Sequence, residues 1–252
     1  MTLLAVERIK LFTTRSPWWC MVLALVLTVG LSVLVTTNAN ENFPATVATS
    51  QAGGQLGLVV IMVMAALAVT TEYRFGTIKA SFQAVPNRTA LLTAKTVLVG
   101  VVAALVGEII AFVSWAVAYL IKPGPLMALT TGQDWRNVAG TGLVYGFAAV
   151  IALAVGILVR QTAGAVAILL VYSLLVENLV ALIPKIGTKI QEWMPFNMAN
   201  NFLSAGAPPS AGGAGSPTTH MPLSPWGSMA YFVGIAIVLL GIALVSANRR
   251  DA

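Results

Sequence analysis

Two carboxylates stand where carboxylates are costly. Glu108 lies in the middle of the apolar run 96–121, and Glu177 lies near the end of the run 162–183, beside Asn178. A charged side chain at the centre of a bilayer costs roughly 2.5 to 3.5 kcal/mol on insertion scales, so such groups face a bundle interior or a wet cavity and find a partner. Two chemistries fit. The carboxyls can line a transport pathway or pass a proton, or each can pin two helices through a hydrogen bond to a hydroxyl such as that of Ser114, Tyr145, Tyr172 or Ser173. Other reactive groups are scarce. The one cysteine, Cys20, has no intrachain disulfide partner, and the one histidine, His220, lies in a Gly/Pro-rich stretch outside every apolar run. No Cys/His metal cluster and no Ser–His pair within a span can be assembled from them. No G-x-x-x-x-G-K-[ST] stretch occurs, so the chain has no P-loop to cradle nucleotide phosphates.

The elements that must carry these groups are membrane spans. Of 252 residues, 58% are hydrophobic and 9% charged, a balance wrong for a soluble surface. Apolar windows near 18–36, 55–71, 96–121, 138–159, 162–183 and 227–247 are each long enough to cross about 30 Å of hydrocarbon. The expected fold class is all-α: a polytopic membrane protein whose residues 1–252 form one transmembrane domain of six helices. Arg8, Lys10 and Arg15 precede the first window, and Thr37-Asn38-Ala39 follows it, as in a cleaved signal peptide. The window is too long for a typical signal h-region, so it is kept as a span. The net charge of +6 rests on 14 basic residues, most of them flanking spans, which points to lipid headgroups and not to nucleic acid. Six crossings put Arg8, Lys10, Arg15, Arg74, Lys79, Arg88, Lys95, Arg160, Arg249 and Arg250 on one side. Only Lys122, Arg136, Lys185 and Lys189 fall opposite. Basic loops resist translocation, so both termini are expected in the cytoplasm.

Between the spans the segments differ in character. Residues 1–16 place Ala5, Val6, Ile9 and Phe12 on one helical face with Arg8 and Arg15 on another, which suits an interfacial helix on the inner leaflet; a flexible basic leader is the alternative. Arg160-Gln161 make a tight turn. The external segment 184–226 begins with Ile183, Ile186, Ile190, Trp193 and Met194 at helical spacing, an amphipathic helix for the interface. Its remainder, 206–225, is rich in Pro, Gly, Ser and Thr and reads as a mobile linker carrying His220. Gly100 and Gly107 offer a smooth side on the third span for another helix.

The connection after the second span, 72–95, is the most informative. Gly76 gives a flexible entry and Thr77 an N-cap hydroxyl, and Pro86 ends a short helix because it disfavours helical geometry at Val85. Inside it Ile78, Phe82 and Val85 form one apolar face. That face either packs on the chain's own helix ends or enters a groove on another protein.

The order Glu72, Gly76, Thr77, Ile78, then Pro86, Arg88 and a later Lys95 resembles the membrane subunits of bacterial ATP-binding-cassette exporters of the second, six-helix type, also called type V. The resemblance implies that 72–95 holds a coupling helix docking on a separate ATPase, through Glu72, Gly76, Thr77, Ile78, Phe82, Val85, Pro86 and Arg88. It further implies an external helical element before the last span. ATP and Mg would be bound by the partner ATPase, with no catalytic, cofactor or metal residue in this chain. A second permease copy, identical or homologous, would complete the pathway in the bacterial plasma membrane, and the cargo would be drugs, lipids, peptides or polysaccharide precursors. Two other classes fit less of the chain. A secondary transporter using Glu108 and Glu177 lacks visible internal symmetry and leaves the amphipathic connection unexplained. An intramembrane enzyme lacks a histidine within its spans.

Overall fold

The computed structural model describes residues 3–85, 87–184, 186–204 and 222–250; Pro86, His220 and nearly all of the stretch 206–225 lie outside the described residues. The chain opens with α1 (Leu3–Thr13) and continues, after Thr14 in extended geometry, as α2 (Arg15–Thr37). The short α3 (Val47–Ser50) is started by a capping box in which Thr46 and Thr49 satisfy each other's backbone N–H. Then come α4 (Gly54–Phe75), α5 (Thr77–Ala84) and α6 (Arg88–Ile121). Gly76, at φ 70°, is the single left-handed residue that turns the chain between α4 and α5. α7 (Gly132–Val159) starts at a second capping box, Thr131 with Asp134, and stops at Arg160, which takes the left-handed conformation at φ 60°. α8 (Thr162–Val171) runs through a π-helical turn, Tyr172–Val176, into α9 (Glu177–Val180). The short α10 (Gly187–Glu192) and α11 (Pro195–Ser204) precede α12 (Pro225–Arg250). The described residues hold no β-strand, only an isolated bridge between Asn40 and Phe43, so the fold is all-α.

Six helical segments are long and apolar enough to cross a membrane: α2, α3 with α4, α6, α7, α8 with α9, and α12. They match the six apolar windows but start earlier at several points. The third helix begins at Arg88 and not near 96, and the fourth at Gly132 and not near 138. Their first turns are polar and capped, by the Asn87 side chain on the Ala90 N–H at 3.0 Å and by Thr131 on Asp134, so they are helical without being apolar. Lys95 therefore sits on α6, two turns in, and not in a loop.

The spans pack inside out relative to a soluble bundle. On α2 the buried residues beyond Pro17 in the first turn are Ala24, Thr28, Ser32 and Thr36, each four apart, while Val22, Val26 and Leu34 face outward. Where the surrounding medium is as apolar as leucine, association comes from close packing of small residues and from hydrogen bonds. The α6–α7 seam follows this rule. Gly107 lies flat against Tyr145, so that a Cβ there would come within 2.6 Å of the ring Cγ, and one on Gly146 would come within 3.1 Å of the Gly100 carbonyl oxygen. Tyr145 crosses the seam and donates to the Gly54 carbonyl at 2.7 Å, joining α7 to the start of α4. α7 is the central helix, packed by α4, α6, α8, α11 and α12. Trp18 and Trp19 are exposed at the start of α2, and Trp135, Trp193 and Trp226 are exposed at the opposite end, as in the aromatic belts of membrane proteins.

This seam sets a size limit. Gly107→Val should destabilise the protein by about 1–3 kcal/mol, the usual cost of overpacking. Gly100→Ala, whose new Cβ would meet the Val150 side chain at 3.3 Å and the Gly146 carbonyl oxygen at an ordinary 3.7 Å, should be close to neutral. Thermal unfolding of both variants in one detergent checks the contrast.

Candidate functional site

Four charged side chains converge at the end of the bundle that carries α1 and α5. Lys95 of α6 pairs with Glu7 of α1 and, at 3.0 Å, with Glu72 of α4. Lys10 of α1 stands 3.1 Å from Glu7 and 3.4 Å from Glu72, and donates to the Ser81 hydroxyl of α5 at 3.0 Å. The sequence positions these groups in simple ways. Glu72 and Gly76 are one turn apart, so the left-handed residue that breaks α4 leads α5 away just beyond the carboxylate. The Asn87 cap starts α6 at Arg88, which puts Lys95 two turns inside. The motif's outer members, Glu72 and Lys95, thus meet as an ion pair.

Burial makes these contacts obligatory. The Glu7 side chain is 2% exposed and that of Lys95 5%. An ion taken out of water loses several kcal/mol of solvation, which only opposite charge and full hydrogen bonding offset. Two carboxylates and two ammonium groups balance in charge. Burial alone would lower the pKa of Lys10, but Glu72 and then Glu7 outweigh it and hold the ammonium above its ordinary 10.5. The contribution of Lys10 to stability is therefore complete below pH 10.5 and lost as pH rises through its folded-state value.

The short helix α5 presents its apolar face to its own chain. Ile78 is buried, while Phe82 and Val85 are half-buried. Phe82 packs against the core, with the half-buried Arg88 guanidinium 5.4 Å from its ring centroid. The first of the two expectations for this face therefore holds within the chain. Thr77 does not cap α5: Gly76 occupies the cap position, and the Thr77 hydroxyl donates to the Glu72 carbonyl at 3.5 Å. Among the described side chains of α5, those left outward are Thr77, Ala80 and Gln83, and beside them lies Phe75, 71% exposed under the Arg74 guanidinium. Pro86 lies outside the described residues.

The intramembrane carboxyls bond to backbone, not to the hydroxyls expected. Glu108 accepts the Gly142 N–H at 3.2 Å across the α6–α7 seam, where a Cβ on Gly142 would collide with it. Glu177 is buried and accepts the Phe196 and Asn197 N–H groups at 3.0 and 2.8 Å, satisfying the otherwise orphaned first turn of α11. Each joins two elements. Tyr145, Tyr172 and Ser173 bond elsewhere, to Gly54, Met194 and Leu169, and the Ser114 hydroxyl is buried without a hydrogen-bond partner. The π-helical turn just before Glu177 shifts the helix register, and the Ser173 carbonyl accepts from Gln55 of α4 at 3.4 Å.

Sequence reasoning missed two features here. Glu7 was overlooked because Arg8 and Arg15 dominate that helix; the signal was its being the first acid of the chain, with none following until Glu41, four residues from Leu3 and Leu11 on one face. On α1 the inward face is Glu7 and Leu11, and Val6 and Ile9 of the expected apolar face point outward. α11 was also missed. The helix expected over 183–194 shrinks to α10, because Pro184 and Gly187 interrupt it, and Pro195 starts the stronger one. In α11 Phe196, Met198, Ala199 and Phe202 face the bundle; Phe202 stacks edge-on with Trp226, and its carbonyl accepts from Arg136 at 2.6 Å.

Removing one member of the charged cluster should cost more than removing a balanced pair. Lys95→Met leaves Glu7 Oε2 buried without a donor and two carboxylates facing the one ammonium of Lys10, and should lower stability by about 3–5 kcal/mol. Glu7→Leu combined with Lys95→Met leaves Lys10 with Glu72 and should recover most of that loss in thermal unfolding.

Among the described residues no group of three His, Cys, Asp or Glu could hold a metal ion. A family profile described as ABC-2 family transporter protein matches residues 3–176, from α1 through the π-helical turn, and so takes in the whole charged cluster, α5 and Glu108. No curated protein matches the chain. With well over half of its length matched and six helices able to cross a membrane, the chain belongs to the ABC-2 transporter family and is a multi-pass membrane permease.

Proposed function

We infer that the chain is the transmembrane subunit of an exporter that moves hydrophobic or amphipathic compounds and is driven by a separate ATPase docked on α5. The observation that carries this reading is the clamping of α5. Ser81 is tied by Lys10 to α1, Glu72 and Lys95 join α4 to α6 at the same point, and Ile78 is buried beneath. A force applied to α5 therefore reaches three other helices through charged and packed contacts. Such a linkage is what a nucleotide-driven machine needs, and a secondary transporter has no use for it. Glu108 and Glu177 are pins between helices in this reading, each engaged by backbone N–H groups of a different element. The chain itself contributes no nucleotide site; ATP and Mg belong to the partner.

Orientation and assembly follow. Ten of the basic residues share the end of the bundle with both termini, which supports a cytoplasmic location for that end in a bacterial plasma membrane. The outward faces of α2, α8 and α12 carry large apolar side chains, among them Val26, Ile168, Val171, Ile237 and Ile242. These suit lipid and a second permease copy.

The docking surface is the outward side of α5, since Phe82 is engaged with its own chain. Ala80→Glu and Gln83→Arg together should abolish co-purification of the ATPase and substrate-stimulated ATP hydrolysis, with membrane insertion and melting temperature unchanged. Retained association would refute docking there. In a Cys20→Ser background, a cysteine at position 80 should resist an impermeant maleimide in intact cells and react after permeabilisation; labelling from outside would reverse the orientation.

A further inference from the structure

Glu108 is held by one oxygen only. Its Oε2 accepts the Gly142 N–H at 3.2 Å, while Oε1 accepts from no described residue and joins no ion pair. The residue is half-buried, and Oε1 is not among the enclosed polar atoms of the bundle, so this second oxygen is open to the outside. Glu177 differs on both counts: it is buried, and each of its oxygens accepts an N–H.

Its depth is fixed by its own helix. Glu108 lies 13 residues beyond Lys95 and 14 before Lys122, about 20 Å from each at the α-helical rise. It therefore stands near the middle of a hydrocarbon layer about 30 Å thick. No neighbouring side chain serves the open oxygen. Within one turn of Glu108 and of Gly142 the side-chain donors are Thr141 and Tyr145, which donate to the Asn137 and Gly54 carbonyls. Leu105, Ile109 and Leu143, on the same stretches of α6 and α7, are exposed as lipid-facing side chains are. An intramembrane carboxyl with an open oxygen and no ionic partner calls for a partner from outside the chain.

The depth also selects that partner. Phospholipid heads stay at the interface, about 15 Å away, and water is excluded from the hydrocarbon. What reaches the oxygen is a molecule soluble in hydrocarbon. An amine crosses the layer as its free base, and whether the proton of the pair rests on oxygen or on nitrogen, one hydrogen bond joins Oε1 to the nitrogen. Opposite charge strengthens that bond in a medium of low dielectric. An alcohol would bond without this gain, and a second carboxyl group would compete with Glu108 for the same proton.

We propose that Glu108 forms a bilayer-facing binding site for lipophilic amines, the nitrogen bonding to Oε1 and the apolar body lying over Leu105, Ile109 and Leu143. The carboxyl then has two duties, with Oε2 pinning α6 to α7 and Oε1 receiving the ligand. The site goes beyond the docking of an ATPase and does not depend on it, because every residue that forms it is in this chain.

The test uses the full chain in nanodiscs. The probe is a dibutylbenzylamine carrying a diazirine on its ring, compared with the analogue that has CH in place of nitrogen, at matched concentration in the bilayer. The amine should label the α6 and α7 peptides around Glu108 and Gly142 about tenfold more than the analogue, the discrimination expected of a hydrogen bond to a charged group. Unlabelled dibutylbenzylamine should compete this excess away, and the peptide of α9 that carries Glu177 should show none. Glu108→Leu should reduce the amine to the level of its analogue. Leu143→Trp, on an exposed position that leaves the carboxyl in place, should cut the excess severalfold and serves if Glu108→Leu does not fold. Equal labelling by the two probes in the unmodified chain, or an excess undiminished in folded Glu108→Leu or Leu143→Trp, would overturn the proposal. So would disulfide cross-linking of Ile109→Cys between copies in a Cys20→Ser background, which would give this seam to a subunit contact.

Discussion

The compensation of Lys95 is the constraint on which the terminal end of this protein depends. An ammonium 5% exposed needs carboxylates close by to offset its lost hydration, and the two that serve it come from helices far apart in sequence, Glu7 on α1 and Glu72 on α4. Satisfying one buried charge therefore fixes the seat of α1 and the point at which α4 gives way to Gly76. Lys10 extends the arrangement to α5 through Ser81. Replacing this set by apolar residues would cost little stability in principle, but it would lose the geometric definition that discrete ion pairs impose.

The opposite end is held by different means. There Glu177 receives the first N–H groups of α11, Arg136 donates to the Phe202 carbonyl, and Asn201 donates to Ser228 at 2.7 Å. These bonds fasten a short amphipathic helix to three spans without opposing charges. Between the two ends the middle of the bundle relies on small residues, with Tyr145 as the one large side chain threaded through glycine notches at Gly57 and Gly107. One end is thus an ionic junction, the middle a close-packed seam and the far end a set of capped contacts.

Much of this was legible in residue types. The six spans followed from apolar length, and the order Glu72, Gly76, Thr77, Ile78 and Lys95 marked the stretch where the charged cluster forms. Rotation about each helix was not legible. Hydropathy reports how long a run is, not which side of it faces a neighbour, so the inward turn of Glu7 and the collision distance between Gly107 and Tyr145 had no signature in composition. For the same reason Glu108 and Glu177 looked like seekers of hydroxyls, when the bonds they make are to backbone N–H groups that sequence leaves anonymous. α11 was hidden behind the louder pattern of Ile183, Ile186 and Ile190, which Pro184 and Gly187 break up. The left-handed Arg160 was visible as a turn, but its guanidinium lying 5.1 Å from the Tyr73 ring depends on where α4 ends.

The central place of α7 has a consequence for how the protein is made. A ribosome delivers α7 before α11 and α12, yet both pack directly against it. Until α11 and then α12 emerge, one flank of α7 lacks its neighbours, and the notch at Gly140 stays open until α11 brings the Phe202 ring that fills it. Completion of the core is therefore a late event in biogenesis, and a chain truncated before Pro195 would leave the notch at Gly140 open in the bilayer to any passing helix.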